Sequence, residues 1–95
     1  MDLTINVEDY KLNIRAGGII IHNNKLLAHK DKHLNFYALL GGRVAIGEDS
    51  KQTLKREIKE ELEKEIEITG YIGTIENFFE INGQKYHEIE IVHKA

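Results

Sequence analysis

The chain has no cysteine and no proline, and no long apolar run. Without cysteine, neither a disulfide framework nor a thiolate metal site is available, which suits a reducing cytosol. Without proline there is no rigid linker, and no internal repeat or low-complexity stretch divides the sequence. The longest apolar run is too short to span a bilayer. The opening Met-Asp-Leu-Thr-Ile lacks the basic-then-apolar pattern of a secretion signal, so the expected location is cytoplasmic. Positive charge is also scarce. A net charge of −3 and a pI near 5.9 argue against non-specific binding to nucleic acid or to an anionic membrane. An acidic protein that handles phosphates needs bridging cations.

Ninety-five residues allow one domain, read here as 1–95 with a lead-in over residues 1–14. Such a chain buries roughly 60–70% of its unfolded surface, enough for one modest core. The lead-in is mixed and polar, a loosely held segment or an edge strand. Residues 16–22 form an apolar run suited to a buried strand. Asn23-Asn24 fits a tight hairpin turn, with 25–30 as the returning strand and 31–36 as a loop. Tyr37–Leu40 leads into a glycine loop. Asp49 is the expected N-cap of a helix, with Gln52 completing a capping box. The helix pattern runs from Ser50 to about Lys64, with Leu54, Ile58 and Leu62 on one side. Ile66, Ile68 and Ile72 alternate with polar residues, which predicts a strand. Asn82-Gly83 then joins two strands, Thr74–Ile81 and Gln84–His93. The order β-β-loop-α-β-β-β defines an α+β domain, a mixed sheet packed by a helix. The last strand runs to Ala95 with no helix after it, so one face of the sheet is expected to lack its cover and the strand to be open for dimerisation.

The chemistry concentrates between Gly41 and Glu61, where Gly41-Gly42-Arg43-Val44-Ala45-Ile46-Gly47-Glu48 precedes Arg56-Glu57-Ile58-Lys59-Glu60-Glu61. At about 100° per residue, Glu60 and Glu61 lie about −60° and +40° from Glu57 on the helix. Three carboxylates therefore share an arc of roughly 100°, beside the apolar stripe. Mutual repulsion costs only a few tenths of a kcal/mol per pair and does not by itself demand a metal, since Lys55, Lys59 and Lys64 supply local partners. The glycines alter the balance: they permit close approach of the backbone to a ligand, and a backbone carbonyl there joins the carboxylates as an oxygen donor for Mg²⁺ or Mn²⁺.

These residues resemble the signature of the Nudix hydrolase (MutT-like) family. Its pattern is Gly, five residues, Glu, seven residues, Arg-Glu, an aliphatic residue, any residue, Glu-Glu, any residue, Gly and an aliphatic residue. Gly42, Glu48, Arg56, Glu57, Ile58, Glu60 and Glu61 fall in register. The Gly-Gly-Ile-Ile-Ile strand before the motif and the Tyr-His-Glu-Ile strand after it extend the resemblance over residues 14–95. The resemblance implies an α/β/α sandwich, here with its C-terminal part missing. It implies metal ligands at Glu57, Glu60, Glu61 and the Gly41 carbonyl, with Glu57 also orienting or deprotonating the attacking water. Arg56 is expected to hold the carboxylate network through Glu48. The implied reaction is hydrolysis of a nucleoside diphosphate derivative at its pyrophosphate. Where the family closes its motif with Gly and an aliphatic residue, this chain has Glu63 and Lys64, so an altered helix end is expected. Leu40 stands where many relatives have proline.

Two rivals to the enzyme are a shortened module that binds nucleotide without turnover and a structural unit that forms a homodimer. His29 and His33 are four apart, but on a strand and a loop that spacing does not make a metal site. His22, His87 and His93 are read as strand or surface residues. Tyr37, Phe78, Phe79 and Tyr86 are read as packing residues that could also stack on a base. Arg15 and Arg43 could touch phosphate, though nothing in the spacing selects either.

Overall fold

The computed structural model describes residues 1–31 and 36–95. The described residues form eight strands and one helix. These are β1 (Thr4–Val7), β2 (Tyr10–Ile19), β3 (Ile21–His22), β4 (Lys25–Leu26), β5 (Ala28–Asp31), β6 (Phe36–Arg43), α1 (Ser50–Leu62), β7 (Gly70–Ile81) and β8 (Gln84–Lys94). The main sheet runs β5-β6-β2-β8-β7, with β1 added beside β2. Long β2 anchors it. One side of β2 pairs in parallel with β8 from Tyr10↔Lys85 to Ile19↔Lys94. The other side is shared by β1 and by β6, both antiparallel. The sheet is therefore mixed, and α1 packs against β2 and β6.

The helix starts where its chemistry dictates. The Asp49 side chain accepts from the Gln52 N–H at 2.8 Å, and the Gln52 side chain accepts from the Asp49 N–H at 2.8 Å, completing the capping box. Leu54 and Ile58 are fully buried and form the core with Ala16, Leu40 and Val44. Each such side chain contributes about 2 kcal/mol of transfer free energy. Leu62, expected on the same stripe, is 41% exposed because the helix ends there. The end itself answers the departure at the motif's last glycine. Glu63 takes the left-handed conformation (φ 56°, ψ 30°) that a glycine adopts freely, and its N–H reaches the Lys59 carbonyl at 2.9 Å. A left-handed non-glycine residue costs roughly 1 kcal/mol. Glu63→Gly is therefore expected to raise stability by about 0.5–1 kcal/mol, read as a higher denaturation midpoint at unchanged slope.

Several expectations are corrected. Of the two readings of residues 1–14, the edge strand holds for β1 and the loose lead-in does not, and Tyr10–Ile14 belong to β2. The returning strand predicted at 25–30 divides into β4, which pairs with β3, and β5, which pairs with β6. The predicted loop at 31–36 has Asp31 in β5 and Phe36 in β6, while 32–35, including His33, lie outside the described residues. Gly41-Gly42 close strand β6 rather than forming a loop. Ile66 and Ile68 make no strand; they pack on the core from the segment joining α1 to β7. The C-terminal strand is not open for pairing, because β8 has β2 on one side and β7 on the other. The two asparagine turns are as expected, with positive φ at Asn23, Asn24, Asn82 and Gly83. No helix among the described residues is long and apolar enough to cross a membrane.

Candidate active site

Arg56 is the hub of the acidic stripe. Its Nε and Nη2 donate to the two carboxylate oxygens of Glu48, each at 2.9 Å. Its Nη1 donates to Glu57 at 2.9 Å and lies 3.5 Å from Glu60. A planar guanidinium serves several carboxylates at once, which an ammonium cannot do with the same geometry. The fork reaches back because Glu48 sits just before the N-cap, about two turns of helix from Arg56. Thr53, fully buried in the first turns of α1, donates from Oγ1 to Glu48 at 2.6 Å. Arg56 and Thr53 together hold the Glu48 carboxyl at about 2, against an ordinary 4.5. The Arg56 guanidinium is raised in turn, chiefly by its bonds to Glu48.

The glycine strand meets this helix at Gly42. A Cβ there would fall 2.4 Å from the Glu57 carboxyl carbon, so Glu57 occupies the space that a side chain at 42 would fill. Gly41 (φ 147°) faces backbone instead: a Cβ would lie 1.9 Å from the Ala16 carbonyl oxygen. Glu61 completes the acidic stripe. Burial, then the charge of Glu57, pushes its carboxyl above the ordinary range, while His29 and Arg15 pull the other way. Carboxylates that crowd one another in this way are partly relieved by Arg56, and a cation would relieve them further.

The donor set suits a hard divalent ion. Glu57, Glu60 and Glu61 supply only oxygen, and Glu57 is pressed against the glycine that leaves room for it. Among the described residues no three acidic or histidine side chains converge into a preformed cage. Oxygen donors of this kind suit a hard ion such as Mg²⁺, which fills the rest of its shell with water and substrate oxygens.

On the face of the sheet opposite α1 lies an open trough of about 1150 Å³. Gly42 and Arg43 line it, as do Phe79 and Tyr86, whose rings stack at 5.0 Å and 11°. The two arginines are unlike. Arg15 is committed to Glu90 and to the Leu39 carbonyl. Arg43 is exposed, and no ion pair holds it among the described residues. In the trough, burial raises the Glu88 carboxyl above its usual range, and Asn77 donates to it at 3.4 Å.

Sequence reasoning missed four contributors. Thr53 carries no signal beyond its position in the first turns. Glu88 and Glu90 carry no local signal because their partners Asn77 and Arg15 are remote in the chain. His93 read as a strand or surface residue, yet it is 3% exposed, with Nε2 2.8 Å from Ser50 Oγ and its ring edge-on to Tyr71. The alternation Ile89, Ile91, His93 on one face was the available signal.

A mixed sheet with one capped acidic helix against a glycine strand defines the class: a domain with carboxylate oxygens gathered where the helix meets that strand. The profile of the NUDIX domain matches residues 12–94, and the chain belongs to the Nudix family. Members of that family are hydrolases that generally require a divalent metal and act on small nucleotide derivatives. No curated protein matches significantly. Among solved structures, the fold is similar to the E. coli ORF135 protein at 24% identity and a TM-score of 0.61, over 94% of this chain and 65% of that one. It is similar to a MutT NUDIX hydrolase from Burkholderia pseudomallei at 20% identity and a TM-score of 0.64, over 88% of this chain and 67% of that one. It is also similar to the Ap4A hydrolase of C. elegans at 24% identity and a TM-score of 0.58, over 87% of this chain and 67% of that one. The chain thus spans about two thirds of the length of these structures.

Proposed function

We propose that this chain, as one Nudix-like domain over residues 1–95, is a divalent-metal-dependent pyrophosphohydrolase for nucleoside diphosphate derivatives. The observation that carries the reading is the gathering of Glu48, Glu57 and Glu60 on one guanidinium, with Glu57 seated against Gly42. Glu57, Glu60, Glu61 and the Gly41 carbonyl are the proposed ligands of Mg²⁺ or Mn²⁺. Such an ion supplies neutralisation of phosphate charge and a more acidic water. Glu57 orients the attacking water or takes its proton, as a carboxylate within reach of a bound water does. Arg56 fixes the Glu57 rotamer, and Glu48 fixes Arg56. Arg43, exposed beside Gly42, is the proposed phosphate contact, since Arg15 is already paired. The Phe79–Tyr86 pair offers an aromatic platform for the base, where stacking contributes about 1–3 kcal/mol.

The rival reading is a module that binds nucleotide without turnover. A single assay separates the two. Phosphate release from a panel of nucleoside diphosphate derivatives is measured with Mg²⁺ and with Mn²⁺, for the parent and for Glu57→Gln. Turnover in the parent that falls by about 10²-fold or more in the variant is the expected result. Nucleotide binding with no turnover by either protein establishes the module instead.

A further inference from the structure

The two edges of the sheet are built differently. At one edge stand β1 and β5, four residues each, and β5 reads Ala-His-Lys-Asp, so it is both short and charged. Short, charged edges resist pairing with another chain. At the other edge stands β7, twelve residues reading Gly-Tyr-Ile-Gly-Thr-Ile-Glu-Asn-Phe-Phe-Glu-Ile, with no lysine, arginine or proline. Its pairing with β8 is irregular only at Tyr71/Gly73, which leaves the stretch from Gly73 to Ile81 regular. Ile72, Ile75 and Phe78 on this edge are 56%, 46% and 66% exposed. An edge of this length carries a row of unpaired backbone donors and acceptors with apolar side chains on either side of it.

We propose that β7 is a homodimer interface, in which β7 of a second copy pairs antiparallel about a two-fold axis at Ile75 and joins the two sheets into one. The residue order suits this partner. With the axis at Ile75, in the regular part of the strand, Ile75 meets the partner's Ile75, Thr74 meets the partner's Glu76 and Gly73 meets the partner's Asn77. No two carboxylates stand directly opposite, and the central pair is apolar. Moving the axis to Glu76 sets two glutamates against each other, and moving it to Phe78 sets Glu76 against the partner's Glu80. Like charges directly opposite across a ladder are destabilising. Glu76 is further balanced by His87 of its own chain, with His87 Nε2 at 3.0 Å. A strand that can pair with itself about a central residue without opposing like charges is what an isologous contact requires. This interface uses a different strand from the C-terminal one, which lies inside the sheet.

Sedimentation velocity over a concentration series tests it, with Ile75→Lys as the disrupting variant. That change places two ammonium groups at the axis and removes the central apolar pair. The parent is expected to dimerise, and the variant to dissociate at least about ten-fold more readily. Near-ultraviolet circular dichroism of the variant confirms that it is folded. The absence of native cysteine permits a second reading that does not rely on a disruptive change. Under mild oxidation Ile75→Cys is expected to form a disulfide-linked dimer, because directly opposed residues bring their Cα atoms within bridging range. Ile5→Cys, also exposed but on β1, is expected to remain monomeric. A parent that stays monomeric, a dimer indifferent to Ile75→Lys, or equal cross-linking of the two cysteine variants overturns the proposal.

Discussion

Gly41→Ala is expected to destabilise the fold strongly, while Gly42→Ala is expected to leave the protein folded and strip the proposed activity. The two glycines are adjacent, but a new methyl group meets different obstacles at each. At Gly41 the added Cβ would lie 1.9 Å from the Ala16 carbonyl oxygen and 3.1 Å from the Gly17 Cα, both backbone atoms of β2. The φ of 147° is itself a region that side chains rarely adopt, costing about 1–3 kcal/mol before any clash. Relief requires parting β6 from β2 where Gly17↔Gly41 pair, next to buried Ala16 and Leu40. A loss above about 3 kcal/mol is expected, out of the 5–15 kcal/mol usual for a domain. At Gly42 the obstacle is the side chain of Glu57, which swings aside at little cost to folding but leaves its seat. Displacement of a catalytic group by about 1 Å can cost about 10²-fold in rate. Gly47→Ala is the control: φ is 87° but nothing lies within 4 Å, so only the backbone cost remains, about 1 kcal/mol. Urea denaturation of the three variants, set beside their turnover, checks the ordering.

The second large effect concerns Arg56. Arg56→Ala leaves Glu48, Glu57 and Glu60 without their shared cation. Turnover is expected to fall by about 10²-fold, because the Glu57 rotamer loses its tether. Arg56→Lys keeps the charge but lacks the fork that grips both oxygens of Glu48, so most of that loss is expected to persist. A pH measurement isolates the network from the chemistry. Glu48 has a carboxyl depressed to about 2 from 4.5, chiefly by Arg56 and then by Thr53. A depressed carboxylate contributes stability above 4.5 that is lost as pH falls toward 2. In Arg56→Ala the Glu48 carboxyl is expected to titrate close to its ordinary value, and the acid limb of the stability profile to flatten. Carbon-detected NMR of the Glu48 carboxyl through this range reads the change. A carboxyl that still titrates near 2 in the variant contradicts the role given to Arg56.

The legible parts of this molecule were the local ones. Asp49 and Gln52 announced the start of the helix because a capping box is written within four residues. Asn82-Gly83 announced the long hairpin for the same reason. The Arg56–Glu48 pairing was legible only through family resemblance, since eight residues separate the two. What stayed hidden depends on partners remote in sequence. The mixed, polar residues 1–14 look like a lead-in, yet β8 arrives from far along the chain to pair with Tyr10–Ile14 and to set Glu90 beside Arg15. Ile66 and Ile68 alternate as a strand does, but the core takes them with no ladder, so periodicity alone misassigns them. The strand open to pairing was predicted as the last one. Only the parallel β2–β8 register shows that the last strand is interior and β7 is the edge.

The acidic stripe stands or falls as a cation site on titration calorimetry of the intact folded chain with Mn²⁺ and with Mg²⁺, repeated with a non-hydrolysable nucleoside diphosphate derivative present. Uptake by the parent, weakened at least about ten-fold in Glu57→Gln, is the expected result. Heats no larger than dilution in the parent, or equal uptake by both proteins, contradict it.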